Sequence, residues 1–299
     1  MGCTLTFKPL RFCAVTASPL PWYSLASCLF TLVYGKLRVL SGFSLPNRGM
    51  GKRVSNKERV ERRIIVPVTF NGNELLQLIH ELVSIPSPSG FTDQIINHIA
   101  AKLDELGISY QKNRKRGLVA TLPGKDAAQQ RMISAHVDTL GAMVKEIKGN
   151  GRLRLALIGG SQWAHLEGEY CQVFTSAGNV YTGTILMHQT SVHVYRDAGK
   201  AERNQENMEV RLDAKVSSAE DVRELGIEVG DFVAFDPRTE ILPSGFIKSR
   251  HLDDKAGAGV LLYLLQEITE NQLQLPHTTH FLFSNYEEIG HGGSAGVPQ

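Results

Sequence analysis

The chain has 299 residues, 42% hydrophobic and 21% charged, with a formal net charge of +2. That length suits one large domain or two medium ones, and the composition is that of an ordinary soluble protein. A near-neutral balance argues against nucleic-acid binding, and no apolar run reaches the roughly 20 residues that a membrane-spanning helix needs.

No Asp or Glu occurs before Glu58, so the basic excess sits at the N-terminus and the remainder is net acidic. Residues 1–57 show no sustained period, and their apolar stretch 25–34 is too short to cross a bilayer. They fit loosely as a signal or transit peptide, and Gly2 with Thr6 formally matches a myristoylation pattern. The favoured expectation is a non-folding extension. Cys3, Cys13 and Cys28 lie within it, and Cys171 stands alone. With no CxxC spacing, a disulfide scaffold, a zinc knuckle and a redox motif are all unsupported, and a reducing cytoplasm is expected.

Folding is expected from about residue 73. Leu75, Leu76, Ile79, Leu82 and Val83 recur at helical spacing, and the helix must stop before Pro86. A loop over 86–90 follows, then a helix over 92–106 with Gly107 as its terminator. Residues 117–122 and 131–135 read as strands. Between 147 and 245 short strands alternate with Gly, Asn and Asp turns, at 152–158, 170–175, 180–186, 209–214 and 231–235, with one helix at 218–225. That spacing predicts a small β-barrel or sandwich inserted into an α/β chain. Beyond it come a strand at 245–250, a helix at 254–269 and an apolar strand at 278–284. Gly257 and Gly259 permit close packing of that last helix. The fold class expected is α/β: a mainly parallel sheet flanked by helices, with an inserted small β-barrel. The divisions expected are 1–57, 73–146, 147–245 and 246–299.

Three motifs follow predicted strands: His136-Val137-Asp138, His251-Leu252-Asp253-Asp254-Lys255 and Glu287-Glu288-Ile289-Gly290. Ligands in open α/β sheets gather beyond the carboxyl ends of strands, so the three are expected to converge. Together they supply an imidazole, paired aspartates and paired glutamates, a donor set suited to two divalent metals and an activated water. His136 and Asp138, two apart in extended chain, share a face, so Asp138 is placed to orient the imidazole. A carboxylate bridges two metals, and Asp253 is the candidate; helix capping by the aspartate pair is the rival explanation. Of Glu287 and Glu288, one ligates and the other takes a proton from metal-bound water; the rival is a solvated loop. Scattered His165, His188 and His193 suit a structural role better than a second metal site. The glycines after Glu288 lack the Lys-Ser/Thr of a phosphate loop.

At these residues the chain resembles the M42 family of metallo-aminopeptidases, glutamyl and deblocking enzymes included. The matching segments are 134–141, 249–257 and 287–290, with Ser84-Ile85-Pro86-Ser87-Pro88-Ser89-Gly90 and 226–231 in support. Residues 139–145 are most similar to M42-like peptidases linked to an N-acetylglutaminylglutamine amide osmoprotectant system. The resemblance implies two divalent ions, zinc or cobalt, with His136, Asp253 and Glu288 as metal ligands and Asp253 bridging. It implies Glu287 as general base, Asp138 orienting His136, a cis peptide between Asp253 and Asp254, short peptides as substrates, and homo-oligomerisation through the β insert. Membranes and nucleic acid are not expected partners. The family also uses a further aspartate and a late histidine, so the 299-residue chain is expected to be a C-terminally truncated, inactive form. The alternatives are an M20-type deacylase or dipeptidase, and a non-catalytic interaction protein on the same scaffold.

Overall fold

The computed structural model describes residues 70–290 and Gly292; the expectations for residues 1–57 fall outside them. Helix α1, Gly72–Ser84, starts where the Asn71 side chain accepts the Glu74 N–H at 3.3 Å, and its apolar stripe Leu75, Leu78, Ile79, Leu82 and Val83 is buried. Helix α2, Asp93–Glu105, buries Ile95, Ile96, Ile99 and Leu103, and Gly107 beyond it takes φ +66, as the sequence predicts for a terminator. Strands β1 (Tyr110–Lys112), β2 (Leu118–Leu122) and β3 (Gly124–His136) come next.

Six strands then close a barrel: β4 (Gly141–Ile147), β5 (Leu153–Ile158), β6 (Tyr170–Phe174), β7 (Val180–Met187), β8 (Met208–Leu212) and β9 (Phe232–Phe235). They run in the order β4-β5-β8-β7-β6-β9, with β9 returning to β4. Strand β4 was not among the expected strands. It belongs to the barrel because Ala142 and Val144 point into its core and Ala142 pairs with Val233, so the barrel begins before position 147. An apolar cluster fills it, with Leu153, Leu155, Val173, Ile185, Val210 and Val233 fully buried. Helix α3, Ala219–Glu224, caps it through Val222 and carries a capping box from Ser218 and Asp221. A buried carboxylate, Glu209, is held by Lys148 and by Arg152 at 2.7 Å.

After the barrel, β10 (Glu240–Ile241) and β11 (Ile247–Lys248) form a separate two-stranded ribbon. The strand expected over 245–250 shrinks to two residues because Gly245, at φ +84, sits in the turn that joins the ribbon. Helix α4 (Leu252–Glu270) and β12 (Leu275–Ser284) complete the described chain. Gly259 faces Ile79 of α1 so closely that a Cβ would lie 2.7 Å from its side chain. Tyr263 of α4 accepts the Asn71 N–H at 2.8 Å, fixing the start of α1.

The main sheet runs β1-β2-β12-β3. It is mixed, where mainly parallel was expected: β12 runs parallel to β3 and antiparallel to β2, and β1 is antiparallel to β2. The cause is the connection at Pro123. The chain leaves β2, crosses the start of β12 and returns along its other side as β3. At the crossing Gly124 lies against the His277 backbone, where a Cβ would sit 2.0 Å from the carbonyl carbon. Fully buried Phe281 and Phe283 place β12 in the core.

Two outcomes follow. Gly124→Ala should lower the unfolding free energy by roughly 2–3 kcal/mol in a urea titration, because backbone cannot yield. Gly149→Ala, with open space at its Cβ, should stay within about 0.5 kcal/mol. Cys171, buried with its thiol pushed up by burial to about 12, should escape iodoacetamide at pH 8 in the native state and react after denaturation, as read by peptide mapping.

Candidate metal centre

Strands β3 and β12 end side by side, with His136 paired to Ser284 and the Val137 N–H donating to the Ser284 carbonyl at 3.0 Å. Each then turns at its carboxyl end, one into Val137-Asp138 and the other into Asn285-Tyr286-Glu287-Glu288. Tyr286 takes a left-handed φ of 67, which bends the second turn back toward the first. The third contributor is not a sheet strand. Asp253 and Asp254 lie at the start of α4, with non-helical backbone and a cis peptide between them.

The expected residues meet at His136. Its Nε2 is 3.1 Å from Asp253 Oδ1 and 3.6 Å from Glu287 Oε2. Its backbone N–H donates to Asp254 Oδ2 at 3.3 Å. Its Nδ1 lies 2.9 Å from the Asp138 carbonyl oxygen. A carbonyl only accepts, so Nδ1 carries a proton and Nε2 is the nitrogen turned toward the carboxylates.

This geometry differs from the expectation in two respects, at Asp138 and at the paired glutamates. The group that orients the imidazole is the Asp138 backbone carbonyl, while the Asp138 carboxylate lies 3.7 Å from Nδ1. That carboxylate is fully buried and accepts from three other donors. The Ser89 hydroxyl reaches Oδ2 at 2.5 Å, the Glu287 N–H reaches Oδ1 at 3.2 Å and the Glu288 N–H reaches Oδ2 at 3.3 Å. Of the paired glutamates, Glu287 is the one within ion-pair reach of His136. Glu288 is half-buried and its carboxyl is pushed up to about 7 by burial, with the His136 charge opposing and neighbouring carboxylates reinforcing.

Burial also raises the Asp254 carboxyl to about 6. Burial works to lower His136, but the hydrogen bond to Asp253 and the charges of Asp138 and Asp254 outweigh it and hold the imidazole at about 9. Asp253 is lowered by its bond to His136. Carboxylates are thus gathered around one imidazole.

Here the side chains bond directly to one another, and among the described residues no group of three His, Cys, Asp or Glu is spread as a coordination sphere. The donor chemistry nonetheless fits a divalent cation, which would replace acid–imidazole bonds with ligation of the same atoms. His136 Nε2 and the carboxylates of Asp253 and Glu288 are the atoms that could hold it.

Ser89 was not singled out from sequence, although the loop 84–90 was noted as a match. The signal available was a serine hydroxyl between two prolines and a glycine, where the chain cannot enter a helix. His251 turns away and meets the Phe235 carbonyl at 3.3 Å, and burial lowers its imidazole to about 3. His188 bonds the Asn207 carbonyl.

The family profile of the M42 glutamyl aminopeptidases matches residues 116–299. The chain belongs to the M42 peptidase family. Membership sets aside the M20-type alternative. A Bacillus subtilis (strain 168) protein designated "Putative aminopeptidase YhfE" is 63% identical over 223 residues, covering 75% of this chain and 64% of that protein. A Lactococcus lactis subsp. cremoris (strain MG1363) glutamyl aminopeptidase is 28% identical over 228 residues, covering 74% of this chain and 62% of the relative. This M42 chain therefore spans somewhat under two thirds of the length of those relatives. Among solved structures, aminopeptidase APDkam598 of the archaeon Desulfurococcus kamchatkensis superposes with a TM-score of 0.63 at 26% identity, over 73% of this chain and 57% of that one.

Asp138→Ala would leave three donors without their acceptor, each costing about 1–3 kcal/mol when buried. We expect a loss of about 3 kcal/mol or more in denaturant unfolding. Asp93→Ala, which breaks an exposed pair with Arg116, should cost under about 1 kcal/mol. Equal costs would show that the Asp138 contacts are not made in solution.

Proposed function

We propose that this chain carries the first part of the site of a metal-dependent aminopeptidase acting on short peptides with a free N-terminus. The single observation that carries the reading is the orientation of His136, whose Nδ1–H is tied to the Asp138 carbonyl while Nε2 faces Asp253 and Glu287.

His136 Nε2 and the carboxylates of Asp253 and Glu288 would hold the divalent ions. A bound zinc or cobalt pair supplies Lewis acidity and lowers the pKa of water. Glu287, exposed beside His136, accepts a proton on its carboxylate and passes it to the departing amine. Asp138 fixes His136 through its carbonyl and the glutamate turn through its carboxylate.

The catalytic parts are read as 73–146 and 246–299 and the inserted part as 147–245, except that strand β4, Gly141–Ile147, goes with the insert. The barrel is read as a contact surface for a second copy: Val192, Val194 and Tyr195 are exposed on its 188–207 connection. Among the described residues no helix is long and apolar enough to cross a membrane. A cytoplasmic setting is part of the proposal, supported by the unpaired Cys171.

The test uses unblocked and N-blocked peptides with added zinc or cobalt, on the 299-residue chain and on a form lengthened to the span of the relatives. The lengthened form should release N-terminal residues from unblocked peptides only, and the 299-residue chain should be inactive. In the lengthened form, Glu287→Gln should lower turnover by about 100-fold or more while metal binding persists, because it removes a base and not a ligand. His136→Ala should weaken metal binding itself in titration calorimetry. Turnover unchanged in Glu287→Gln would remove its assigned role, and absence of any hydrolysis in the lengthened form would favour a non-catalytic scaffold.

A further inference from the structure

We propose that Ser89 is a positioning residue for the metal centre, acting through Asp138 to set where Glu287 and Glu288 stand; the inference rests on the metal-site reading above. A buried carboxylate with two oxygens has a choice of partners. Asp138 has the His136 ring nitrogen 3.7 Å from Oδ1 on one side and the Glu287 and Glu288 N–H groups at 3.2 and 3.3 Å on the other. Its shortest contact, from the Ser89 hydroxyl at 2.5 Å, lands on Oδ2, the oxygen that also receives Glu288. Ser89 thus biases the carboxylate toward the glutamate turn and away from the imidazole, leaving the ring to the carbonyl.

The placement of Ser89 is not incidental to a loose loop. Its N–H donates to the Thr139 carbonyl at 3.1 Å, and the Thr139 N–H donates to the Ser87 carbonyl at 2.9 Å. The Ser87 hydroxyl reaches the Val137 carbonyl at 2.8 Å, and Pro88 bridges Thr139 in parallel. The loop is clamped to the segment that carries Asp138. At its other end the buried Lys255 ammonium donates to the Ile85 carbonyl, linking it to the helix that follows Asp253 and Asp254. Ser89 itself is 5% exposed, so no water substitutes readily for its hydroxyl.

The experiment compares the chain with Ser89→Ala and Ser89→Thr, alanine lacking the donor and threonine keeping it. The first readout needs no metal: hydrogen exchange of the segment containing Glu287 and Glu288, followed by mass spectrometry. Alanine should speed exchange of those amides by about tenfold or more, threonine should restore the slow rate, and thermal midpoints should show that both variants fold. The second readout is cobalt affinity of the lengthened form by titration calorimetry, expected to weaken by about tenfold in alanine and to return in threonine, the range seen when a partner of a metal ligand is lost. Wild-type exchange rates in the alanine variant, or a folded threonine variant that behaves like alanine, would overturn the assignment. Failure of the lengthened parent to bind cobalt, with the exchange pattern as expected, counts against the metal reading alone, since the exchange arm is read without metal.

Discussion

A carboxylate cannot be taken fully out of water without donors to replace it, and Asp138 is fully buried. Its three donors come from two different segments: the loop that ends α1 and the turn that ends β12. Its own backbone carbonyl takes the ring of His136, from the end of β3. One residue thereby joins a loop, a strand end and a turn that are far apart in sequence. None of them can shift alone without stripping partners from a buried charge, so the distances around His136 are set jointly.

The charges at the centre are unbalanced by design of the backbone. Asp253, Asp254, Glu287 and Glu288 all approach His136, and the carboxyls with least water, Asp254 and Glu288, are those held above their ordinary range. Carboxylates crowd in this way where a cation is to be bound, since each oxygen repels the others until positive charge arrives. Lys255 does not answer that need. It is buried and donates to the Ile85 carbonyl, and burial lowers its amine to about 7.

Much of this was legible in the residues. The helices were readable from period, because Ile79, Leu82, Ile95 and Ile99 fall on single stripes that must be buried. His136 and Glu287 were readable as strand-end residues, because an apolar run stops abruptly at charge. Other features were hidden for physical reasons. Strand β4 mixes buried Ala142 and Val144 with exposed Lys145 and Glu146 and has no flanking turn on its N-terminal side, so nothing local marks it as barrel. The mixed sheet was hidden because strand direction is decided by a crossing at Gly124, and a single glycine after proline reads as an ordinary turn. The work of the Asp138 carboxylate was hidden because H-x-D spacing says which face a side chain shares, not which of its oxygens finds which donor. Ser89 was hidden for the same reason: its partner lies 49 positions away.

The crossing at Gly124 also makes the sheet depend on contacts between segments far apart in the chain. Strands β2 and β3 are neighbours in the chain, yet each bonds to β12 and the strand pairings place β12 between them. Of the described strands of this sheet, β12 comes last in the chain, with the whole barrel lying between it and its partners. The barrel closes on contacts of shorter range, whereas the sheet must wait for a distant segment and bear the entropy of that long loop. Because the carboxylate turn hangs from the end of β12, the cluster around His136 depends on that long-range pairing.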